Sequence, residues 1–324
     1  TTLLVSCAKN EPEVSASNYT LGRNPFSSYI CASENTTFYK SVALYTEQSE
    51  GVLEEYRNQG LYAKSETNQE PRLLYADFDH GLNVYFNRLY FIDTGHQLLE
   101  YDLTTGLTAV IAGDKNQQTV TECLIIDDTL FYIAGDPVSE ECFLTAYDLI
   151  SKETAVIAEN VHWERLNHYQ EHIQFWDLDG NVKVYLPDSG ETLDYGSFNM
   201  DEVFQILDDG TVVGHIGPMF VRCDLEGKNI SSLFSMEQVH NVIVTQNDLF
   251  VSTLEETGSQ LFHFSFSENE MKKIANTSFP LVGYTDSYIF CGTGTGQGDI
   301  ERITISSGKA DVLDDNTHRG AVSY

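Results

Sequence analysis

The sequence predicts an all-β fold, namely a seven-bladed β-propeller built from four-stranded antiparallel blades, with six or eight blades as alternative counts. Two sequence markers recur along the chain at intervals of about 40 residues, and they step together. Short runs rich in Val, Ile, Tyr, Phe and Thr alternate with Asp, Asn and Gly turns, and no long stretch has a helical period. Of the 324 residues, 41% are hydrophobic and 12% are aromatic, which is too apolar a composition for a disordered acidic chain.

The first marker is a turn followed by an aromatic-rich strand. Its central positions lie about 40 residues apart, and they are Tyr90, Phe131, Gln174, Val212, Phe250 and Ile289. The second marker is a strand that ends in a polar turn, as in Tyr101-Asp102-Leu103 and Tyr147-Asp148-Leu149, and it follows the first marker at a similar offset. Since a lone twisted sheet cannot bury both faces, we expect these units to stack around an axis with their aromatic residues between neighbours.

Six full repeats of this pattern occupy residues 77–316, and residues 25–76 supply a seventh. In that first unit, Tyr62 lies one repeat length before the first Tyr-Asp-Leu marker. The strand that closes the ring could come from residues 26–32 or from residues 317–324, and the sequence does not choose between them.

The start of the chain predicts a lipid anchor. Residues 1–6 are apolar and are interpreted as the remnant of a signal peptide. The run Leu4-Val5-Ser6-Cys7 resembles a bacterial lipobox, in which Cys7 becomes the lipid-modified N-terminus. Residues 7–24 are polar and would form a tether, so the predicted propeller domain is residues 25–324.

The other five cysteines do not predict a disulfide framework or a zinc site. They are odd in number, scattered, and lack a Cys-x-x-Cys pair. We expect them to be small buried residues; they are Cys31, Cys123, Cys142, Cys223 and Cys291.

The charge balance excludes several classes of partner. The chain has 18 Lys and Arg residues against 49 Asp and Glu residues, so its formal net charge is −31. Nucleic acid and anionic membrane surfaces both require a basic face, which this composition does not offer. The acidic residues fall largely in the predicted turns and on exposed strand faces, so the charge is expected to form a solvated coat that favours cationic or neutral ligands.

Three histidines are candidate metal ligands. His80, His162 and His240 each precede the first marker of alternate blades by roughly ten residues, where the innermost strand begins. Side chains at that point can face the central channel, and three imidazoles there could hold a metal or an anion. The alternative interpretation is that they are solvated or turn-capping residues.

A second candidate site is an aromatic patch in the fourth blade. It consists of Trp163, Arg165, Tyr169 and Trp176, which could stack on a sugar or could pack between blades. No cofactor is expected, apart from adventitious calcium at acidic loops such as Asp177–Asn181, which also fits a hairpin turn. The Gly-rich run 292–299 lacks a following helix and is interpreted as a long hairpin loop rather than a phosphate site.

The repeat itself supports a resemblance. Its Leu-Tyr-Phe, turn and Tyr-Asp-Leu-x-x-Gly pattern resembles bacterial extracytoplasmic lipoprotein β-propellers of unknown function, and in repeat style the YWTD propellers of low-density-lipoprotein receptors. No blade carries an intact Tyr-Trp-Thr-Asp, and both tryptophans fall in one blade. The resemblance covers nearly the whole chain; it implies the fold and a cell-surface setting, and it carries over no catalytic residue.

Together these features favour a lipid-anchored binding or scaffolding module at the bacterial cell surface over an enzyme. We expect a monomer that binds a protein or a saccharide and touches the membrane only through its anchor. The alternative is a carbohydrate-active propeller enzyme, a hydrolase or lyase with surface carboxylates. A third interpretation, a secreted eukaryotic propeller, depends on four Asn-x-Ser/Thr triplets, which begin at Asn18, Asn35, Asn229 and Asn276.

Overall fold

The computed structural model confirms the predicted all-β architecture and the count of seven four-stranded blades. It describes residues 29–33, 36–49, 52–65, 71–113, 118–136, 138–139, 141–169, 171–255, 258–277, 281–284, 287–292 and 300–314. Within these ranges the chain forms strands and turns, and none of it is a helix that could cross a membrane.

Each blade is one antiparallel sheet of four consecutive strands, which run outward from the innermost strand. The strands of blades 1 and 2 are β1 (Ile30–Ser33), β2 (Thr36–Ser49), β3 (Val52–Ser65), β4 (Arg72–Tyr75), β5 (Phe78–Tyr85), β6 (Arg88–Asp93), β7 (Leu98–Asp102) and β8 (Thr108–Ala112). Those of blades 3 and 4 are β9 (Thr119–Ile126), β10 (Thr129–Asp136), β11 (Glu141–Asp148), β12 (Thr154–Glu159), β13 (Val161–Tyr169), β14 (His172–Asp177), β15 (Val182–Leu186) and β16 (Glu191–Gly196). Those of blades 5 to 7 are β17 (Glu202–Ile206), β18 (Val212–Ile216), β19 (Met219–Cys223), β20 (Ser231–Ser235), β21 (Val239–Val244), β22 (Asp248–Glu255), β23 (Gly258–Ser265), β24 (Glu270–Thr277), β25 (Leu281–Tyr284), β26 (Tyr288–Cys291), β27 (Ile300–Thr304) and β28 (Ala310–Asp314).

The ring closes by packing between the first and last blades. Strand β1 is the innermost strand of blade 1, and it lies beside β5 on one side and β25 on the other. Residues 30–32 therefore begin the first blade rather than complete the last one, whereas residues 317–324 lie outside the described part of the chain. Each described sheet is built from one continuous stretch of sequence.

The core is divided into seven clusters, one between each pair of adjacent blades. The seam between blades 7 and 1 is typical: Tyr39 and Tyr62 of blade 1 pack with Phe290 of blade 7, and all three are at most 3% exposed. Burial of one large apolar side chain stabilises the fold by about 1.5–3 kcal/mol, so each interface contributes substantially. The five described cysteines are buried and free, as the sequence predicted.

The aspartate of the second marker forms a turn. Asp102 Oδ1 accepts hydrogen bonds from the backbone N–H groups of Thr104 and Thr105 at 2.8 and 2.9 Å. Asp148 makes the same pair of contacts in blade 3, at 2.8 and 2.7 Å. These backbone hydrogen bonds lower the pKa of both carboxyl groups, because they favour the ionised form. Some of the acidic residues behind the large negative charge are thus present because they form turns.

A β-bulge occurs at the equivalent point of every outermost strand. In each blade one residue of the fourth strand has no partner on the third strand, and the register shifts there. The extra residue is always large and apolar, and each packs into the cluster shared with the following blade; the seven are Leu74, Ile111, Ile157, Tyr195, Leu233, Ile274 and Leu313. The bulge thus turns an edge residue toward the neighbouring blade.

Candidate functional site

Bulges also occur near the beginning of the innermost strands of blades 2 to 7. There the first and second strands shift register, which leaves extra residues on the inner strand. The positions are Asp79, Thr121, residues 162–165, Phe204, His240 and Val282. Because all inner strands run in the same direction along the channel, these positions meet at one end of it, which we call the channel mouth. Bulges commonly re-aim side chains next to functional sites.

Blade 1 contributes a long hairpin to the same end of the channel. Strands β2 and β3 pair over fourteen residues each. Strand β1 pairs only with residues 36–39, and β4 pairs only with residues 61–63. The hairpin 42–59 therefore extends beyond the beginning of β1, to where neither β1 nor β4 pairs with it.

A paired charge cluster joins blades 1 and 2 at the channel mouth. Lys40 Nζ lies 2.9 Å from Asp79 Oδ1, and the lysine side chain is only 6% exposed. The lysine ammonium also lies 5.1 Å from the centre of the Tyr29 ring. Asp79 Oδ2 lies 2.9 Å from His80 Nδ1. Burial alone would raise the pKa of the Asp79 carboxyl, but hydrogen bonds and charge from His80 and Lys40 hold it well below its usual range.

His80 is placed so that its protonated ring can donate two hydrogen bonds. Its Nδ1 faces the Asp79 carboxylate and its Nε2 lies 2.9 Å from the backbone carbonyl oxygen of Thr121 in blade 3. Both partners can only accept hydrogen bonds, so both contacts are hydrogen bonds when both ring nitrogens carry a proton. Burial opposes this charge, but the Asp79 hydrogen bond and the negative charges of Glu122 and Asp79 outweigh it and raise the pKa of His80.

A second charged group lies at the mouth between blades 4 and 5. Arg165 Nη2 lies 3.5 Å from Glu202 Oε1, and His215 Nε2 lies 3.5 Å from Glu202 Oε2. The Arg165 guanidinium carbon is 5.8 Å from the centre of the Trp176 ring, and the Phe204 ring stacks on His215 with centroids 5.4 Å apart. The guanidinium of Arg165 in this part of the mouth thus also has a carboxylate partner.

The three predicted histidines all lie on inner strands, but the structure gives them different surroundings. His80 is held between Asp79 and Thr121, His162 stacks on Trp163 with centroids 6.1 Å apart, and His240 is exposed. Burial and the nearby Arg165 charge lower the pKa of His162. Among the residues that the structure describes, no group of three or more His, Cys, Asp or Glu side chains is placed to hold a metal, so the metal prediction gains no support.

The predicted aromatic patch is divided between two interfaces. Trp176 is 4% exposed and belongs to the cluster between blades 4 and 5. Trp163 is half-buried against the cluster between blades 3 and 4. Arg165 lies at the mouth between Trp176 and Glu202, and the side chain of Tyr169 lies outside the described part. Of the three members whose side chains are described, Trp163 and Arg165 retain exposed surface on which a ligand could rest.

Of the two loops considered from the sequence, the Asp177 loop has a structural explanation. Asp177 Oδ1 accepts hydrogen bonds from the N–H groups of Asp179 and Asn181 at 3.0 and 2.8 Å, which makes this segment a hairpin turn between β14 and β15. The Gly-rich run joins β26 to β27, also within one blade. Its residues 293–299 lie outside the described ranges.

Sequence reasoning missed the residues that surround His80 and Arg165. Lys40 belongs to another blade, and a lysine that directly follows the aromatic pair Phe38-Tyr39 in a strand is the signal that could have found it. Glu202 and His215 pair across adjacent strands of blade 5. That pairing depends on a register which the sequence pattern does not specify.

Comparison with known proteins supports the fold and goes no further. No protein-family model matches this chain, and no curated protein matches it. An oligogalacturonate lyase in complex with manganese is similar with 12% identity and a TM-score of 0.54, over 84% of this chain and 95% of that one. The oligogalacturonate lyase of Vibrio parahaemolyticus is similar with 11% identity and a TM-score of 0.55, over 91% and 97%.

A third similar structure is larger than this chain. It is a puromycin-hydrolyzing peptidase of Mycobacterium tuberculosis, with 10% identity and a TM-score of 0.64. The match covers 93% of this chain but 57% of that one, so this chain spans little more than half of the peptidase. At such identities the likeness concerns the propeller fold alone.

Proposed function

We propose that this chain is a ligand-binding β-propeller that holds its ligand at the channel mouth and does not turn it over. The observation that carries the proposal is the set of inner-strand bulges, which six blades present at the same end of the channel. A rim supplied by separate blades surrounds a ligand from several directions and is held rigid by the sheets behind it.

The charges at the mouth favour a neutral saccharide as the ligand. Lys40 and His80 share the Asp79 carboxylate, with the negative charge of Glu122 also acting on His80, and Arg165 is paired with Glu202, so each of these bases already has acidic partners. The net charge of −31 further disfavours polyanions. Partly exposed aromatic rings, such as that of Phe204, offer the apolar surface on which a sugar ring can rest.

The second candidate function is a carbohydrate-active lyase or hydrolase. It is favoured by the two oligogalacturonate lyases, whose chains match almost over their full length. Each galacturonate unit carries a carboxylate, however, and a chain of net charge −31 would repel such a substrate unless a local basic site offset it. The paired bases at the mouth do not form such a site.

A panel of neutral and anionic oligosaccharides tests both candidates. We expect calorimetry to detect a neutral oligosaccharide that is retained without release of shorter products. Phe204→Leu should weaken this binding about tenfold, because it removes the ring face while keeping apolar volume. Phe266→Leu is the matched control, since Phe266 packs on the same cluster from the turn that follows β23. Equal loss in both variants, or binding of none of the sugars, would contradict the proposal, and product release would favour the enzyme.

We also propose that the chain is a monomer without a cofactor, anchored outside the cytoplasm by lipid on Cys7. Residues 1–28 lie outside the described part, so this proposal is supported by the lipobox-like sequence alone. The test is palmitate labelling of a precursor that carries a complete signal peptide. We expect labelling to disappear in Cys7→Ala, and persistence of the label would refute the anchor.

A further inference from the structure

The outermost strands of blades 2 and 3 share one exposed sequence. Strand β8 is Thr-Ala-Val-Ile-Ala, and β12 begins with the same five residues. Val110 and Val156, the third residues, are 56% and 60% exposed. Their neighbours Ile111 and Ile157 are the bulge residues that pack inward. The isoleucines thus fill the core between the blades, and core packing does not explain why valine occupies the exposed positions beside them.

These strands are open edges of their sheets. In the part of the chain that the structure describes, no strand pairs with the outer side of β8 or β12. Proteins usually protect such edges with charged side chains, proline or bulges; every outermost strand here has the bulge, so the strands differ in their charged side chains. Four other outer strands carry one, at Arg72, Asp194, Lys272 and Asp311, and the exposed positions of β20 are serines. Strands β8 and β12 combine an exposed valine with the absence of such a charge before Glu159.

The two edges belong to adjacent blades, which are joined by an ion pair. Lys152, in the turn that precedes β12, places its Nζ 3.3 Å from Glu100 Oε2 on β7 of the adjacent blade. Two further apolar residues extend the exposed surface, since Leu107 is 70% exposed and Ile150 is 72% exposed. The rim of blades 2 and 3 therefore presents two matching strand edges with apolar residues around them, a combination typical of interaction sites.

We propose that β8 and β12 form a docking surface for an extended polypeptide of a partner protein, which adds to each edge as a further strand. The partner segment has a β-branched centre, because such residues pair best with Thr and Val across strands. Basic residues flank that centre, since Glu153 and Glu159 stand at the two ends of β12 and are exposed.

Charge also disfavours a second copy of this chain as the occupant. Two chains that each carry a net charge of −31 repel, whereas a basic segment is attracted. Five paired residues at about 3.3 Å each span roughly 17 Å, so a segment of about seven residues includes both flanks. Two identical edges side by side would hold a repeated segment with increased avidity. The surface lies on the outer rim and is independent of the channel mouth.

The probe is a soluble synthetic peptide, Lys-Lys-Thr-Val-Thr-Val-Thr-Lys-Lys, blocked at both ends and carrying a fluorophore. We expect saturable binding by anisotropy, and hydrogen exchange that slows at residues 108–112 and 154–158 when the peptide is present. A peptide with proline in place of both valines should not bind, because it cannot complete the ladder of hydrogen bonds. A peptide with Glu in place of Lys should bind at least about tenfold more weakly.

Variants of the edges locate the site. The double variant Val110→Lys and Val156→Lys should weaken peptide binding at least about tenfold and leave the unfolding transition unchanged. Val312→Lys is the matched control, because Val312 is 50% exposed on the outer strand of blade 7. Slowed exchange at β24 or β28 equal to that at β8 and β12, or unchanged binding by the double variant, would overturn the proposal. A native dimer that the double variant abolishes would make a second copy the occupant, which would also overturn it.

Discussion

The imidazolium of His80 should make the stability of this propeller depend on pH in a defined direction. The perturbation is His80→Gln, which replaces a charged double donor with a neutral side chain that can donate from one end only. The native ring bridges two blades, because Nδ1–H faces Asp79 of its own strand and Nε2–H faces the Thr121 carbonyl of the next blade. Gln can replace one of these hydrogen bonds and cannot replace both.

The size of the effect follows from these contacts. A hydrogen bond to a charged group contributes about 1.5–3 kcal/mol, and the His80 side chain is only 14% exposed, so little screening is expected. We therefore expect His80→Gln to lower the free energy of unfolding by about 2 kcal/mol in acid. The pKa of His80 is raised in the folded chain, so this contribution is complete below about pH 6.5, the ordinary value. It declines as pH rises through the raised pKa.

Urea unfolding at about pH 5.5 and at about pH 8.5 measures the difference between native chain and variant. His240→Gln is the control, since His240 is exposed at the equivalent bulge of blade 6. The control should leave stability almost unchanged at both pH values. A gap between native chain and His80→Gln that stays constant or widens toward high pH would refute the assignment of a charged ring. Asp79→Asn should remove most of the pH dependence in the same assay.

Three other substitutions test packing and charge. Glu100→Gln should lower the free energy of unfolding by about 1–3 kcal/mol in a urea titration, since the Glu100 side chain is 14% exposed and contacts Tyr90, Arg88 and Lys152. The loss should be smaller in about 1 M salt, because Arg88 and Lys152 are 37% and 44% exposed, and a loss that salt does not change would contradict an ionic contribution. Ile157→Ala should lower the free energy of unfolding by about 2 kcal/mol, because it removes the side chain that the blade 3 bulge packs against blade 4. Val156→Ala, which changes an exposed side chain, should lower it by less than about 0.5 kcal/mol. Equal losses of stability in thermal unfolding would contradict the role of the bulge. Gly214→Ala should cost about 1–3 kcal/mol in calorimetry, because the added Cβ meets a backbone carbonyl of β17, and a neutral result would show that β17 moves freely.

The blades could be predicted because their markers are tied to chain geometry. An aromatic strand such as Leu89–Phe91 must face a neighbouring sheet, and an aspartate such as Asp102 closes the turn with its own carboxylate. Both signals are local, so they survive in the sequence at a regular spacing. Seven copies of a local signal indicate a ring even when one copy, such as blade 1, is weak.

The bulges could not be predicted in the same way. An extra residue in a strand and an extra residue in a loop change the spacing between markers by the same amount, so the sequence does not distinguish them. In a strand, however, the extra residue turns every later side chain to the opposite face. His80, His162 and His240 show the consequence. Their offsets from the marker are similar, but bulges of different length precede or include them, so similar offsets lead to different surroundings. The partners Lys40 and Asp79 lie in separate blades and become neighbours only in the folded ring.

The interface at which the ring closes, between blades 7 and 1, is equivalent to every other interface between blades. Each described sheet is one continuous piece of chain, and blades 7 and 1 meet through the same kind of cluster as every other pair. A chain reordered to start at β17 and joined across the present seam would contain the same seven sheets and the same seven interfaces. Circular permutation at a blade boundary should therefore preserve the fold, and an extra blade could be inserted by duplication without altering the interior of any existing one.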